Sequence, residues 1–266
     1  MSALHLRRWP GNEDRPALAL HCMMGNGVYW GPIAETLRER ARISAPDLPG
    51  HGQSPDWEGP DWEGTDWEGT VPDYHTFVTR EAAALIDRPL DLIGHSMGAT
   101  VALRIAVAAP EAVRSLTLIE PVLFAAAPEA FNDALLDDVA ARLAAGEDAE
   151  AARAFLGVWG GLDWDSQTPS GKARLARQIH LVQASNDALR RDTANILRPD
   201  GLEAIDAPVL IVMGEDSPPV IPAIADALAA RLPDVGRARV PGAGHMLPIT
   251  HPRQVAELIG LNLDRA

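Results

Sequence analysis

The sequence predicts an α/β protein, a mostly parallel sheet with helices on both faces. Three observations carry that prediction. Short apolar runs at residues 16–21, 90–93, 113–119 and 208–213 alternate with stretches of helical spacing. The runs are predominantly apolar, as strands buried on both faces are. And a strand, a tight turn and a helix follow one another from Leu90 to Ala106, centred on Gly94-His95-Ser96-Met97-Gly98.

The chain has 266 residues, enough for one large domain or a core carrying an insertion. Lys and Arg total 23 against 37 Asp and Glu, a formal charge of −14, with no basic cluster to track a phosphate backbone. Nucleic acid is therefore excluded as a partner, and polyanions are repelled at long range. The single cysteine, Cys22, has no internal partner, which fits a reducing compartment. Arg7, Arg8 and Trp9 stand where the apolar core of a signal peptide would be. No apolar run approaches the ~20 residues of a membrane span. The expectation is a soluble, cytoplasmic protein with no membrane partner.

Taken in order, Leu4 to Trp9 alternates apolar and polar, an edge strand ended by Pro10-Gly11-Asn12. Residues 16–21 form a buried strand, followed by the loop Cys22-Met23-Met24-Gly25-Asn26-Gly27. A helix from Ile33 to Arg40 leads to a strand at Arg42–Pro46 and the turn Asp47-Leu48-Pro49-Gly50-His51-Gly52-Gln53-Ser54. Residues 55–71 hold three copies of Asp-Trp-Glu-Gly. A five-residue period is too short for a solenoid unit, so the repeat reads as a duplication in an acidic surface loop. The sharper alternative has Trp57, Trp62 or Trp67 overhanging the site as an apolar gate. Tyr74 to Asp87 has helical spacing.

After the central strand–turn–helix and the strand at 113–119, the alternation stops. Residues 122–198 are Ala-rich and helical in pattern, broken at Gly157 to Trp164. The expected organisation is a core of residues 1–121 and 199–266 with a helical cap inserted at 122–198. Strands at 208–213 and 236–240, helices at 221–232 and 252–263, and the turns at Gly214 and Gly242 complete the core.

The glycines two positions before and after Ser96 let the backbone turn sharply between strand and helix, projecting the hydroxyl above the sheet edge. Serine alone is a poor nucleophile. It needs an imidazole to take its proton and an acid to orient that imidazole. The chain offers Glu120 and Asp216 as carboxylates at the ends of later strands, and His245 in a Gly-flanked loop after the last strand.

The order Ser, acid, His, with His21, the turn at 47–54, the Gly94–Gly98 motif and Gly244-His245, resembles the α/β-hydrolase superfamily over nearly the whole chain. The resemblance implies that the N–H groups of Met23 and Met97 form the oxyanion hole. Three departures stand out. Cys22 follows His21 where family members usually carry glycine, and reads as a small buried substitute. The usual acid position holds Ser217, with Asp216 one residue early. Glu120 closes an apolar strand, where desolvation calls for a partner such as the histidine, and this favours Glu120 over Asp216. Finally, the nucleophile is Ser96 and not an aspartate, which disfavours dehalogenase and epoxide-hydrolase chemistry.

The implied activity is a serine hydrolase for a small, largely apolar ester, lactone or related acyl substrate, working without a cofactor. His95, Trp159, Leu162 and Trp164 are the expected substrate contacts. The alternative is a non-catalytic binding protein of the same fold. His5, His75, His180 and His251 lack companions at ligand spacing, so no metal is expected.

Overall fold

The computed structural model describes residues 4–57, 73–160 and 163–266. Trp62 and Trp67 of the repeat, and Leu162, lie outside the described residues. The sheet has seven strands: β1 (Leu6–Arg8), β2 (Pro16–Leu20), β3 (Arg42–Pro46), β4 (Leu90–His95), β5 (Val113–Ile119), β6 (Val209–Gly214) and β7 (Val235–Val240). Their spatial order is β1-β3-β2-β4-β5-β6-β7. Only β1 is antiparallel, pairing Leu6 with Pro46 at the edge, where a short half-exposed strand belongs.

Alternate residues of the central strands enter opposite cores. Leu90 and Leu92 of β4, with Val209 and Ile211 of β6, join one apolar cluster; Ile93, Leu210 and Val212 join the other. The first cluster takes in Val78 of helix α2 (Tyr74–Ala83), Leu103 of α3 (Met97–Ala108) and Ile224 of α7 (Val220–Ala229). The second takes in Ile33 of α1 (Gly31–Leu37), Leu247 of α8 (Leu247–Thr250) and Ile259 of α9 (Pro252–Leu263). The central strands are buried on both faces, with Asp91 and His95 of β4 and Ser115 and Thr117 of β5 as buried polar residues.

Between β5 and β6 lie α4 (Ala134–Ala144), α5 (Asp148–Trp159) and α6 (Pro169–Arg191). Helix α6 starts on Thr168, whose Oγ1 accepts the Gly171 N–H at 3.1 Å, and ends on Asp192 in the left-handed region. Gly160, at φ +73°, ends α5 and leaves Trp159 at its last turn. Trp57, half-buried, sets its ring edge-on to Tyr74 at 5.3 Å between centroids. No described helix is long and apolar enough to cross a membrane.

Candidate active site

The parallel strands β4, β5, β6 and β7 are consecutive neighbours, so their C-terminal ends share one edge. Ser96 follows β4, Glu120 follows β5, Ser217 lies just beyond β6, and His245 lies in the turn after β7. The sheet order alone brings together residues up to 149 positions apart.

Ser96 sits at φ +58°, ψ −120°, a conformation costly for any residue with a Cβ. Its N–H donates to Ile119 O at 2.8 Å, anchoring the bend to β5. Both flanking glycines are required by close packing. A Cβ on Gly94 would meet Gly98 O at 2.3 Å, and one on Gly98 would meet His21 O at 2.5 Å. The turn therefore holds Ser96 between a strand and a helix that nearly touch.

His245 Nδ1 lies 2.9 Å from Glu120 Oε2, and Nε2 lies 3.0 Å from Ser96 Oγ. An ionised carboxylate only accepts, so Nδ1 carries the proton and Nε2 is left as the acceptor facing the serine hydroxyl. Glu120 is fully buried. Its second oxygen, Oε1, accepts the Gly214 N–H at 2.7 Å and the Ser217 hydroxyl at 2.8 Å. Ser217 thus stands where the usual acid would, and clamps the acid that β5 supplies. Asp216, by contrast, is exposed, and its N–H donates to Ala243 O at 2.8 Å. The carboxylate meeting the imidazole is Glu120 and not Asp216.

The loop after β2 spends its N–H groups in turn. Cys22 N–H donates to the Tyr29 hydroxyl at 2.9 Å, Met24 N–H to His51 Nε2 at 2.9 Å, and Gly25 N–H to Cys22 O at 3.1 Å. Met23 N–H has no hydrogen-bond partner among the described residues. Met97 N–H is the first of α3 and has no partner within the helix. These are the two donors expected from the resemblance. Cys22 is buried, and burial pushes its thiol up to about 12, so it stays protonated.

The buried histidines have forced tautomers. His51 Nε2 accepts from Met24, so its Nδ1–H donates to Pro49 O at 2.9 Å; His21 Nε2 accepts the Leu48 N–H at 2.8 Å, so its Nδ1–H donates to Cys22 O. Burial, reinforced for His21 by the neighbouring His51 ring, lowers His21 to about 3 and His51 to about 4. His95 Nε2–H donates to His245 O at 2.9 Å, which leaves Nδ1 to accept the Tyr29 hydroxyl at 3.0 Å. Burial, then the adjacent His245, holds His95 well below its ordinary value. An oriented chain, Cys22 N–H to Tyr29 to His95 to His245 O, therefore links the two loops flanking Ser96.

Ser96 lines two pockets. The inner one is walled by Val122, Phe124, Leu136, Phe155, Trp159 and Leu189. The outer one opens past Asn26, Tyr29, Arg174, Met246 and Ile249, and His245 lines it. Trp159 borders both, its ring edge-on to His245 at 4.8 Å between centroids. Two sequence expectations for substrate contact fail. His95 is fully buried and lines neither pocket, because its ring is committed to Tyr29 and to the His245 carbonyl. Trp164 also lines neither; it is half-buried beside Lys172, whose Nζ lies 5.6 Å from its ring centroid. Sequence reasoning missed Tyr29 and Ser217, and the one available signal was Ser217's place in the usual acid position.

Comparison with known proteins extends the picture beyond geometry. A family model described as alpha/beta hydrolase fold matches residues 17–252. The chain is similar to a 2-(acetamidomethylene)succinate hydrolase of Mesorhizobium japonicum, 30% identical, with 93% of this chain and 87% of the relative covered. It is similar to a pimeloyl-[acyl-carrier protein] methyl ester esterase of Methylococcus capsulatus, 28% identical, with 88% and 89% covered. The enol-lactonase of Burkholderia xenovorans LB400 shares the fold, with a TM-score of 0.72 at 20% identity over 98% of this chain and 96% of that one. With a family model spanning most of its length and hydrolases among its nearly full-length relatives, the chain belongs to the α/β-hydrolase fold family, as a hydrolase of that fold.

Proposed function

We propose that the protein cleaves a small, largely apolar ester, lactone or related acyl substrate through an acyl-enzyme on Ser96. The observation that carries this reading is the unbroken line Glu120–His245–Ser96 beneath an apolar pocket. His245 Nε2 takes the Ser96 proton as Oγ attacks the carbonyl, and Glu120 stabilises the imidazolium. The Met23 and Met97 N–H groups stabilise the oxyanion. His245 then returns the proton to the leaving group, and a water activated by the same nitrogen releases the acyl group. No step calls for a metal or a cofactor.

Helices α4–α6, within residues 122–198, are the cap that roofs the pocket over a core of residues 1–121 and 199–266. The relatives are named for a methyl ester and for a substituted succinate, and we place the present substrate among small acyl compounds handled in the cytoplasm. A non-catalytic binding protein of the same fold would need no acid on its histidine, and the Glu120–His245 contact at 2.9 Å weighs against that alternative. A fluorophosphonate probe tests the reading. Labelling of Ser96 in the wild type, lost in His245→Ala, is expected; no labelling of a folded sample would contradict it.

A further inference from the structure

Two pockets meet at Ser96, and a charge on the substrate has one place to go. No charged side chain lines the inner pocket, whose wall is largely aliphatic and aromatic. The outer pocket is lined by His245, by no acidic residue, and by one permanent cation, Arg174. On the hydrolase reading, on which this inference rests, His245 Nε2 hands a proton to the leaving group. That group therefore lies on the side His245 lines, beside Arg174, and the acyl part takes the inner pocket.

Arg174, Gln178 and Leu181 stand at i, i+4 and i+7 on α6, one stripe of the helix. That stripe packs on the core: Gln178 Nε2 donates to Gly50 O at 3.0 Å, and Leu181 is buried against the same glycine. Arg174 continues the stripe one turn toward the start of α6, where it borders the outer pocket. It is exposed, and no hydrogen bond or ion pair joins it to a described residue. Asp56 and Asp148 line a neighbouring cleft that Arg174 also borders, but Asp148 is held by His180 at 3.1 Å and neither carboxylate pairs with Arg174. The chain has 37 acidic side chains against 23 Lys and Arg, so a guanidinium beside the nucleophile with no described acid is open to one that the substrate brings. Its planar fork matches a carboxylate at both oxygens.

We propose that Arg174 is a specificity residue that pairs with a carboxylate on the leaving part of the substrate. The substrate class is then a hydroxy acid acylated on its hydroxyl, with an apolar acyl chain in the inner pocket and the acid end at Arg174. Hydrolysis frees the hydroxy acid from the outer pocket and leaves the acyl group on Ser96 for water.

The test uses butyrate esters of 4-hydroxyphenyl-acetate, -propanoate and -butanoate, each against its primary carboxamide, which has the same shape without the charge. The methylenes keep the leaving phenols alike in acidity. A net charge of −14 by itself favours the neutral ester. In the wild type at least one acid should nevertheless exceed its carboxamide in kcat/KM by about fivefold, the upper end for an ion pair open to solvent, and 0.5 M NaCl should shrink that ratio. In Arg174→Gln the ratio should fall to one or below, and Arg174→Lys should keep part of it, with the Tm of each variant measured. Each pair also competes with fluorophosphonate labelling, so binding is read where turnover is slow. Absence of an acid preference at every length, or a preference that survives in folded Arg174→Gln, overturns the assignment while leaving the hydrolase reading intact. No turnover of any ester together with no fluorophosphonate labelling overturns both.

Discussion

The choice between Glu120 and Asp216 turns on one residue of placement. Both carboxylates follow apolar strands in the sequence, and the desolvation of a carboxylate closing such a strand favours Glu120. The structure differs in burial: Glu120 is sealed beneath three donors, the Gly214 N–H, the Ser217 hydroxyl and the His245 ring, while Asp216 faces solvent. Ser217 is then a positioning residue acting through Glu120. Ser217→Ala should lower kcat by about tenfold with KM nearly unchanged, since a hydrogen bond to a charged group is worth about 1.5–3 kcal/mol and the substrate pockets are untouched. Ser217→Thr, which keeps the hydroxyl, should restore most of it; steady-state kinetics on one ester checks both. Ser96 was legible because its flanking glycines are ones the turn requires, and His245 because it lies in a glycine-bearing turn after the last strand. His95 was misread because adjacency to a nucleophile says nothing of where a ring goes once two other groups bond it.

At the scale of elements, the strands were the most legible part, since continuous apolar runs follow from burial on both faces. Helix ends were less so: α1 stops at Leu37, before the exposed Arg38, Glu39 and Arg40, and α2 stops at Ala83 although Leu85 and Ile86 beyond it still pack against the core. The links between loops left no trace in the sequence. Tyr29, from the turn before α1, joins the loop after β2 to the His245 loop only through side-chain bonds. Tyr29→Phe keeps the ring and strands Cys22 N–H and His95 Nδ1. It should cost about 1–3 kcal/mol in denaturant unfolding and lower kcat/KM. A change in neither would contradict the linkage. Asp91 anchors the start of β4, held by Arg15 at 2.8 Å and by the Ser115 hydroxyl at 2.7 Å. Asp91→Ala should destabilise the fold by roughly 3–5 kcal/mol, because it leaves a guanidinium that is largely buried without its partner.

Across the whole molecule, four buried histidines couple stability to pH. His21 is lowered to about 3, His51 and His75 to about 4, and His95 well below its ordinary value, in each case mainly by burial. In the unfolded chain each titrates near 6.5, so below that pH the unfolded state binds more protons and stability falls. Each group contributes about 1.4 kcal/mol per pH unit until the folded value is reached. Urea unfolding at pH 7.5 and pH 5.5 should differ by on the order of 5 kcal/mol if all four act. Equal stability at the two values would show that these rings do not titrate as buried neutral groups.

Glu120, and not the carboxylate one residue from the usual position, closes the hydrogen-bonded line through His245 to Ser96. The most direct test is turnover of a p-nitrophenyl ester by Glu120→Gln and Asp216→Asn, with folding confirmed by Tm. Glu120→Gln should lower kcat by about 10⁴-fold, the cost of the wrong imidazole tautomer, and Asp216→Asn should keep near-wild-type turnover. Near-wild-type turnover by Glu120→Gln would contradict it.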